Sequence, residues 1–410
     1  MKNAKIILSV LIAGILMVSG VALARTNNQE SQRIYVLTDN PGIKAALGVN
    51  HEFPKGFSTK VSARSKALVA LGLIKTEPVQ IYEITGKPVC GNGIIEGGEK
   101  CGEPELLECP TGYVCENCKC VGETVPPERT CYPSGWKPWG IAKVNGGSDG
   151  IGINVAVLDT GVYKDHLDLD VRLCKDATKR GIKNGCRDGN GHGTHIAGTI
   201  AANSGNDGQG IYGVAPEAGL MAIKVCGSSG FCWCDDIAAG IRYAADNNAN
   251  IISMSLGGDT QSSLIKGAID YAVDEGVLIV AAAGNDGSAD GSIDYPGAYV
   301  KVIAVGSIDS EEKVSNSSSR GVNDGDYIIE EKEVEFGAPG VDVESTWKDG
   351  CYNTISGTSM ATPHVAGLAA KLWDTDAATT RANLQKLAKN HDLHAPGDDT
   401  ATGFGLPIAH

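Results

Sequence analysis

From residue 153 onward, short predominantly apolar runs without strand-like polar alternation are interspersed with segments whose apolar residues recur at helical spacing. The runs at 153–158, 220–225, 251–256, 277–282 and 302–305 read as strands, and the segments at 194–202, 237–247 and 263–275 read as helices. A strand with no polar face cannot lie against water. It is buried on both sides, which is the condition of a parallel sheet covered by helices on each face. The fold class is therefore α/β with a mostly parallel sheet, and in such sheets reacting groups collect at the carboxyl ends of strands.

This pattern does not reach the start of the chain. Residues 1–24 carry Lys2 and Lys5, an apolar run at 6–18 and then Ala22-Leu23-Ala24, the pattern of an export signal that is removed from the mature protein. Residues 25–89 read as a small α+β module with strands at 33–38 and 79–84 and a helix at 62–71. Residues 90–122 are rich in Gly and Glu and hold Cys90, Cys101, Cys109, Cys115, Cys118 and Cys120, too little apolar material to make a core without disulfides. Pro126-Pro127 marks 123–130 as a linker, and the main domain runs over 131–410. Thirteen cysteines in an exported chain favour disulfides and leave one over; Cys174 with Cys186, and Cys226 with Cys232 or Cys234, are plausible local pairs.

Charge divides the same way. Residues 25–89 carry a net +4 and residues 128–410 a net −15. An acidic main domain argues against nucleic acid or an anionic membrane as partner and suits the basic segment upstream. No apolar span follows the export signal, so no membrane association is expected once it is removed, and the protein is expected outside the cell as a monomer.

Four residues at strand or helix ends carry the candidate chemistry. Ser359 stands in Gly357-Thr358-Ser359-Met360-Ala361, at the start of a helical pattern where free N–H groups favour developing negative charge. Asp159 closes the run at 153–158 and is followed by Thr160-Gly161. His192 lies in a glycine-flanked bend, Gly191-His192-Gly193-Thr194-His195, that enters a helix. Asn285 follows Ala283-Gly284 at another strand end. Together they supply a nucleophile, a base, an orienting acid and an oxyanion donor. His192 and His195 could instead be metal ligands, but no further ligand accompanies them.

These motifs, with Ser255-Leu256-Gly257-Gly258, resemble the signatures of subtilisin-like serine proteases over about 139–406. The resemblance implies a three-layer subtilisin-like fold, a small α+β propeptide domain ahead of it, and a self-processing endopeptidase acting on protein or peptide substrates with no cofactor in catalysis. It implies that Ser359 attacks, His192 moves the proton, Asp159 orients the imidazole and Asn285 holds the oxyanion. It further implies that Ser255, Leu256, Gly257, Ala283 and Gly284 line the substrate cleft, and that His364 and Pro363 are structural. A protease-like binding protein without turnover is the alternative; a missing catalytic residue would mark it, and all four are present.

Three features add to that pattern. Asp294, just before Tyr295-Pro296, falls where the family has the base of the specificity pocket, so a preference for Lys or Arg is expected; Arg129-Thr130 would then suit self-cleavage. Asp168, nine residues beyond Asp159, falls where the family places a ligand of structural calcium, with 203–208 as the partnering loop. Residues 25–89 resemble the family's propeptide, which chaperones folding and then blocks the active site, whereas the Cys-rich stretch is unusual and leaves the maturation point open.

Overall fold

The structure, a computed structural model, describes residues 32–84, 113–116, 119–122, 131–205 and 208–410. The expected export signal, the linker and the Arg129-Thr130 bond lie outside the described residues. So does the Cys-rich stretch, save for the backbone of a two-stranded hairpin. The chain forms two compact units that divide between Val79 and Gln80.

The first unit is a four-stranded sheet ordered β2-β3-β1-β4, from β1 (Arg33–Val36), β2 (Glu52–Phe53), β3 (Gly56–Lys60) and β4 (Thr76–Pro78), with helices α1 (Pro41–Leu47) and α2 (Ala63–Ala70). Each helix starts where a side chain caps it. Asn40 Oδ1 accepts from the N–H groups of Gly42 and Ile43, and Ser62 Oγ from Ser65 N. Val36, Phe57 and Ile74 form the core. The strand expected over 79–84 does not join this sheet; Thr76-Glu77-Pro78, too polar to show as an apolar run, takes the edge position instead.

In the second unit, β5 (Ile81–Ile84) precedes the hairpin of β6 (Tyr113–Glu116) and β7 (Lys119–Gly122), and α3 (Trp139–Lys143) opens the main domain. The principal sheet has eight strands: β8 (Asn154–Asp159), β9 (Val171–Asp176), β10 (Lys183–Asn184), β11 (Gly219–Lys224), β13 (Ile251–Met254), β15 (Leu278–Ala282), β16 (Ile303–Ile308) and β17 (Phe336–Pro339). Their order is β10-β9-β11-β8-β13-β15-β16-β17, parallel throughout except for β10. The short strands β12 (Phe231–Trp233) and β14 (Leu256–Gly257) flank β5, and β18 (Val343–Thr346) pairs with β19 (Tyr352–Ile355).

Strand alternation assigns the two faces. Val155, Val157, Leu220, Ala222, Val280 and Val305 share one core with Ile196 and Ile200 of α4 (His192–Ala201) and Val365 and Leu368 of α7 (Thr358–Lys371). Leu158 and Ile223 point the other way, toward α5 (Cys234–Asp246): a methyl group on its Gly240 would touch both, at 3.4 Å. There α5 packs on α6 (Ser263–Asp274), and α8 (Ala377–Lys389) closes the C-terminal part. The sheet is thus sandwiched between helical layers, as its apolar strands require.

Three sheet strands escape an apolar reading, the shortest being β10, Lys183–Asn184, with both residues exposed. β9 carries Arg172, Lys175 and Asp176 and is only half-buried, and β17 is Phe-Gly-Ala-Pro, whose glycine and proline read as a turn.

Candidate active site

Asp159 is the last residue of β8 and His192 the first of α4, and their side chains meet in the interior. His192 Nδ1 lies 2.9 Å and 3.0 Å from the two oxygens of Asp159, and both residues are buried. A carboxylate only accepts hydrogen bonds, so Nδ1 carries the proton and Nε2 of the neutral ring bears the lone pair. The helix can come this close because Gly193 has no side chain; a methyl group there would lie 2.1 Å from Gly161 O and 3.0 Å from Asp159 Oδ1.

The bend entering α4 is organised by a residue that the sequence did not single out. Asp188 Oδ1 accepts from Thr160 Oγ1 and from the N–H groups of Asn190 and Gly191, and Oδ2 accepts from the N–H and hydroxyl of Thr194. A buried carboxylate so placed satisfies orphan N–H groups at a helix start and sits at the positive end of its dipole. The signal for it is an Asp six residues ahead of a Thr in a helix's first turn, which can be told from an ordinary turn only in three dimensions.

Ser359 is the second residue of α7. Its Oγ donates to Ser255 O at 3.2 Å, while Ser255 Oγ donates to Ser359 O at 2.8 Å, so the helix start is stitched to the residue just before β14. Asn285 is fixed by Thr358, a second residue that the sequence reading passed over. Asn285 Oδ1 accepts from Thr358 N at 3.1 Å and from its hydroxyl at 3.2 Å. With the carbonyl oxygen committed there, the amide NH₂ is the group left to donate into the cleft.

Gly257 and Gly284 face one carboxyl group, that of Asp294. A methyl group on Gly257 would lie 2.8 Å from Asp294 Oδ2, and one on Gly284, at φ 107°, 2.6 Å from it. Asp294 is therefore turned inward and is only 5% exposed. Burial, and then the neighbouring carboxylates of Asp286 and Asp259, push its acid up to about 8. Oxygen atoms of these three residues lie within 4.8 Å of one another.

β5 runs antiparallel between β12 and β14. Ile84 is opposite Leu256, Glu83 is opposite both Gly257 and Phe231, and Tyr82 is opposite Cys232. Tyr82 and Ile84 point inward; Ile81 and Glu83 are exposed.

Other expected residues have structural roles. His195 Nε2 lies 2.9 Å from Val343 O, and burial holds its ring down to about 3, so it stays neutral. His364 Nδ1 lies 2.8 Å from Met360 O, and burial lowers that ring to about 4. Asp168 Oδ2 accepts from Ile211 N at 3.0 Å and Tyr352 Oη at 2.8 Å. Asn206 and Asp207, central to the expected partnering loop, lie outside the described residues.

Cys174 pairs with Cys186, and Cys226 with Cys232, leaving Cys234 as a buried thiol. A third disulfide, Cys131 to Cys351, spans 220 residues and could not have been read from spacing. Among the described residues no helix is long and apolar enough to cross a membrane.

The model of the subtilase family matches residues 150–405. A subtilisin of Bacillus sp. (strain TA39) is 47% identical over 300 residues, covering 66% of this chain and 71% of that protein. Subtilisin Savinase of Lederbergia lenta is 40% identical over 274 residues, 65% of this chain and 92% of that protein. Among solved structures, the S41 psychrophilic protease (47% identical) and sphericase (48% identical) each align with a TM-score of 0.66, covering 68% of this chain and 99% of theirs. The chain belongs to the subtilase family and is a subtilisin-like serine endopeptidase with that family's α/β fold.

Proposed function

We propose that the endopeptidase works through Asp159, His192 and Ser359, with Asn285 as oxyanion donor, and that it is exported as a precursor that processes itself and acts as a monomer on protein substrates. The observation that carries this reading is the buried pair of His192 Nδ1 and Asp159 at 2.9 Å. Because Nδ1 holds its proton against the carboxylate, Nε2 can take one from Ser359 Oγ as that oxygen attacks the substrate carbonyl. A bond forms from Oγ to the carbonyl carbon, and the carbonyl oxygen becomes an anion. The NH₂ of Asn285 and the backbone N–H of Ser359 stabilise that anion at the positive end of α7. The imidazolium then protonates the leaving amine, the C–N bond breaks and an acyl-enzyme remains. Water, deprotonated by His192, hydrolyses the ester and restores Ser359. Asp159 stabilises the transient imidazolium throughout.

Ser255, Leu256, Gly257, Ala283 and Gly284 form the walls of the substrate cleft, and Asp294 between them selects a Lys or Arg on the acyl side of the cut. Its negative charge, when ionised, would be the partner of that cation. Structural calcium enters the proposal through Asp168, which fits it only in part, since its Oδ2 is already committed to Ile211 N and Tyr352 Oη. Unchanged melting in a chelator would remove calcium from the account.

The test is expression of the wild type beside Ser359→Ala, with a peptide library as substrate. The reading requires hydrolysis and self-processing by the wild type and neither by the variant; comparable turnover by both would end it.

A further inference from the structure

Lys224 is a buried amine that the reaction as described does not use. It ends β11 between two carboxylates, opposite Asp159 of β8 on one side and Asp176 of β9 on the other. Residues paired across parallel strands project to one face, and successive residues along a strand to opposite faces. Since Leu158 and Ile223 point toward α5, Asp159 and Lys224 point the other way, toward the start of α4 and His192. Lys224 is only 9% exposed, and its Nζ donates to the carbonyl of Thr160, the residue after Asp159.

Thr160 joins these parts. Its N–H donates to Asp159 Oδ1 at 2.6 Å, its hydroxyl donates to Asp188 Oδ1 at 3.0 Å and accepts from Gly193 N at 3.0 Å, and its carbonyl takes Lys224. A hold on that carbonyl fixes the turn that carries Asp159 against the first turn of α4. The charged groups facing Lys224 are Asp159 from β8, Asp176 from β9, Lys179 from the loop after β9 and Asp188 from the bend into α4. Burial draws the ammonium's acidity constant down, while Asp188, Asp176 and Asp159 draw it up. Facing His192 are Asp159 and, one turn along α4, His195, which is coupled in turn to His364 of α7; burial keeps both of those rings neutral.

We infer that Lys224 is a positioning residue for the hydrolysis: its ammonium pins the Asp159–Thr160 turn and offsets the carboxylates behind His192, which favours the neutral imidazole. The inference rests on His192 being the general base. Three carboxylates crowd this corner of the sheet, and without a compensating cation their summed field favours the imidazolium, which cannot accept the serine proton. Nζ supplies that cation and, through the same atom, the hydrogen bond that holds the turn. An apolar residue of equal length does neither. Lys224 acts through Asp159 and Thr160 and takes no part in making or breaking bonds.

The experiment is the pH dependence of kcat and KM on a peptide amide, with the full chain expressed as wild type, Lys224→Met, Lys224→Arg and Asp176→Asn, and folding checked by near-ultraviolet circular dichroism. Lys224→Met should move the acid limb of kcat/KM up by about 0.5 pH unit, the scale expected when one nearby, partly screened charge is removed. Its kcat at the plateau should fall ~10-fold or more with KM held within ~2-fold, because a misplaced base costs rate and not binding. Lys224→Arg, which keeps the charge, should return the acid limb to its wild-type position. Asp176→Asn, which leaves more of the ammonium's field to Asp159, should move it down. A folded Lys224→Met with the wild-type acid limb overturns the inference. Should that variant fail to fold, Asp176→Asn decides: an acid limb moved down sustains the inference, and one that stays in place overturns it. Turnover undiminished in His192→Ala would instead end the reading of His192 as the base.

Discussion

Replacing Asn285 with alanine separates transition-state binding from substrate binding. Asn285 Oδ1 accepts from Thr358 N at 3.1 Å and from its hydroxyl at 3.2 Å. In the proposed mechanism its NH₂ acts only when the carbonyl oxygen becomes an anion. Loss of one such donor costs about 100- to 1000-fold in kcat, or about 2.7–4 kcal/mol; that magnitude was measured in a subtilisin and is carried over. Losing the Oδ1 acceptor costs stability separately, about 1–2 kcal/mol for two neutral hydrogen bonds at a helix start that water can partly replace. The two effects are read by different assays, steady-state kinetics on a peptide ester or amide and urea denaturation. The expectation is a kcat lower by two to three orders of magnitude with KM nearly unchanged, because the lost interaction exists only in the transition state. Thr358→Val, which removes the hydroxyl bond to Asn285 Oδ1 but keeps the one from the backbone N–H, should lose less. A rise in KM at constant kcat, or a loss of only a few-fold, would refute the assignment of Asn285 as oxyanion donor.

Further predictions concern two buried carboxyl groups. Asp294 titrates near 8 in the folded protein, so it is largely neutral at pH 6 and charged at pH 9; selectivity for Arg over Leu before the cut should rise through that window and lose its pH dependence in Asp294→Asn. The same raised acid makes the native state bind the extra proton between about 4 and 8. Stability therefore falls as pH rises through that range, and Asp294→Asn should raise Tm more at pH 9 than at pH 4. Asp188→Ala strands five donors at the entrance to α4 and should lower unfolding stability by ~3 kcal/mol, seen by chemical denaturation; a change under ~1 kcal/mol would show that water replaces them.

Much of the principal sheet was legible because its central strands are buried on both faces, and such strands show as predominantly apolar runs. β9 and β17 did not, since one is half-buried with charges and the other contains Gly and Pro. Asp159, His192, Asn285 and Ser359 stood out because each lies in a glycine-flanked motif at an element end. Asp188 and Thr358 did not, because their work is to hold those motifs together across 6 and 73 residues of chain, which local pattern cannot display. Tyr82 shows the same limit. The alternation at 79–84 correctly announced a strand, but its partners at 231–233 and 256–257 are far away in sequence. Cys131 and Cys351, 220 residues apart, were unreadable for that reason too.

The central claim is that Ser359 forms the acyl-enzyme and that the Asp159–His192 pair makes it nucleophilic. Mass spectrometry of the protein quenched during turnover of an activated ester tests it directly. The account predicts one acyl group on Ser359 in the wild type, and a rate of acylation reduced by about 10⁴-fold or more in His192→Ala, as losses of triad members in related enzymes indicate. An acyl group on another residue, or undiminished acylation without His192, would contradict it.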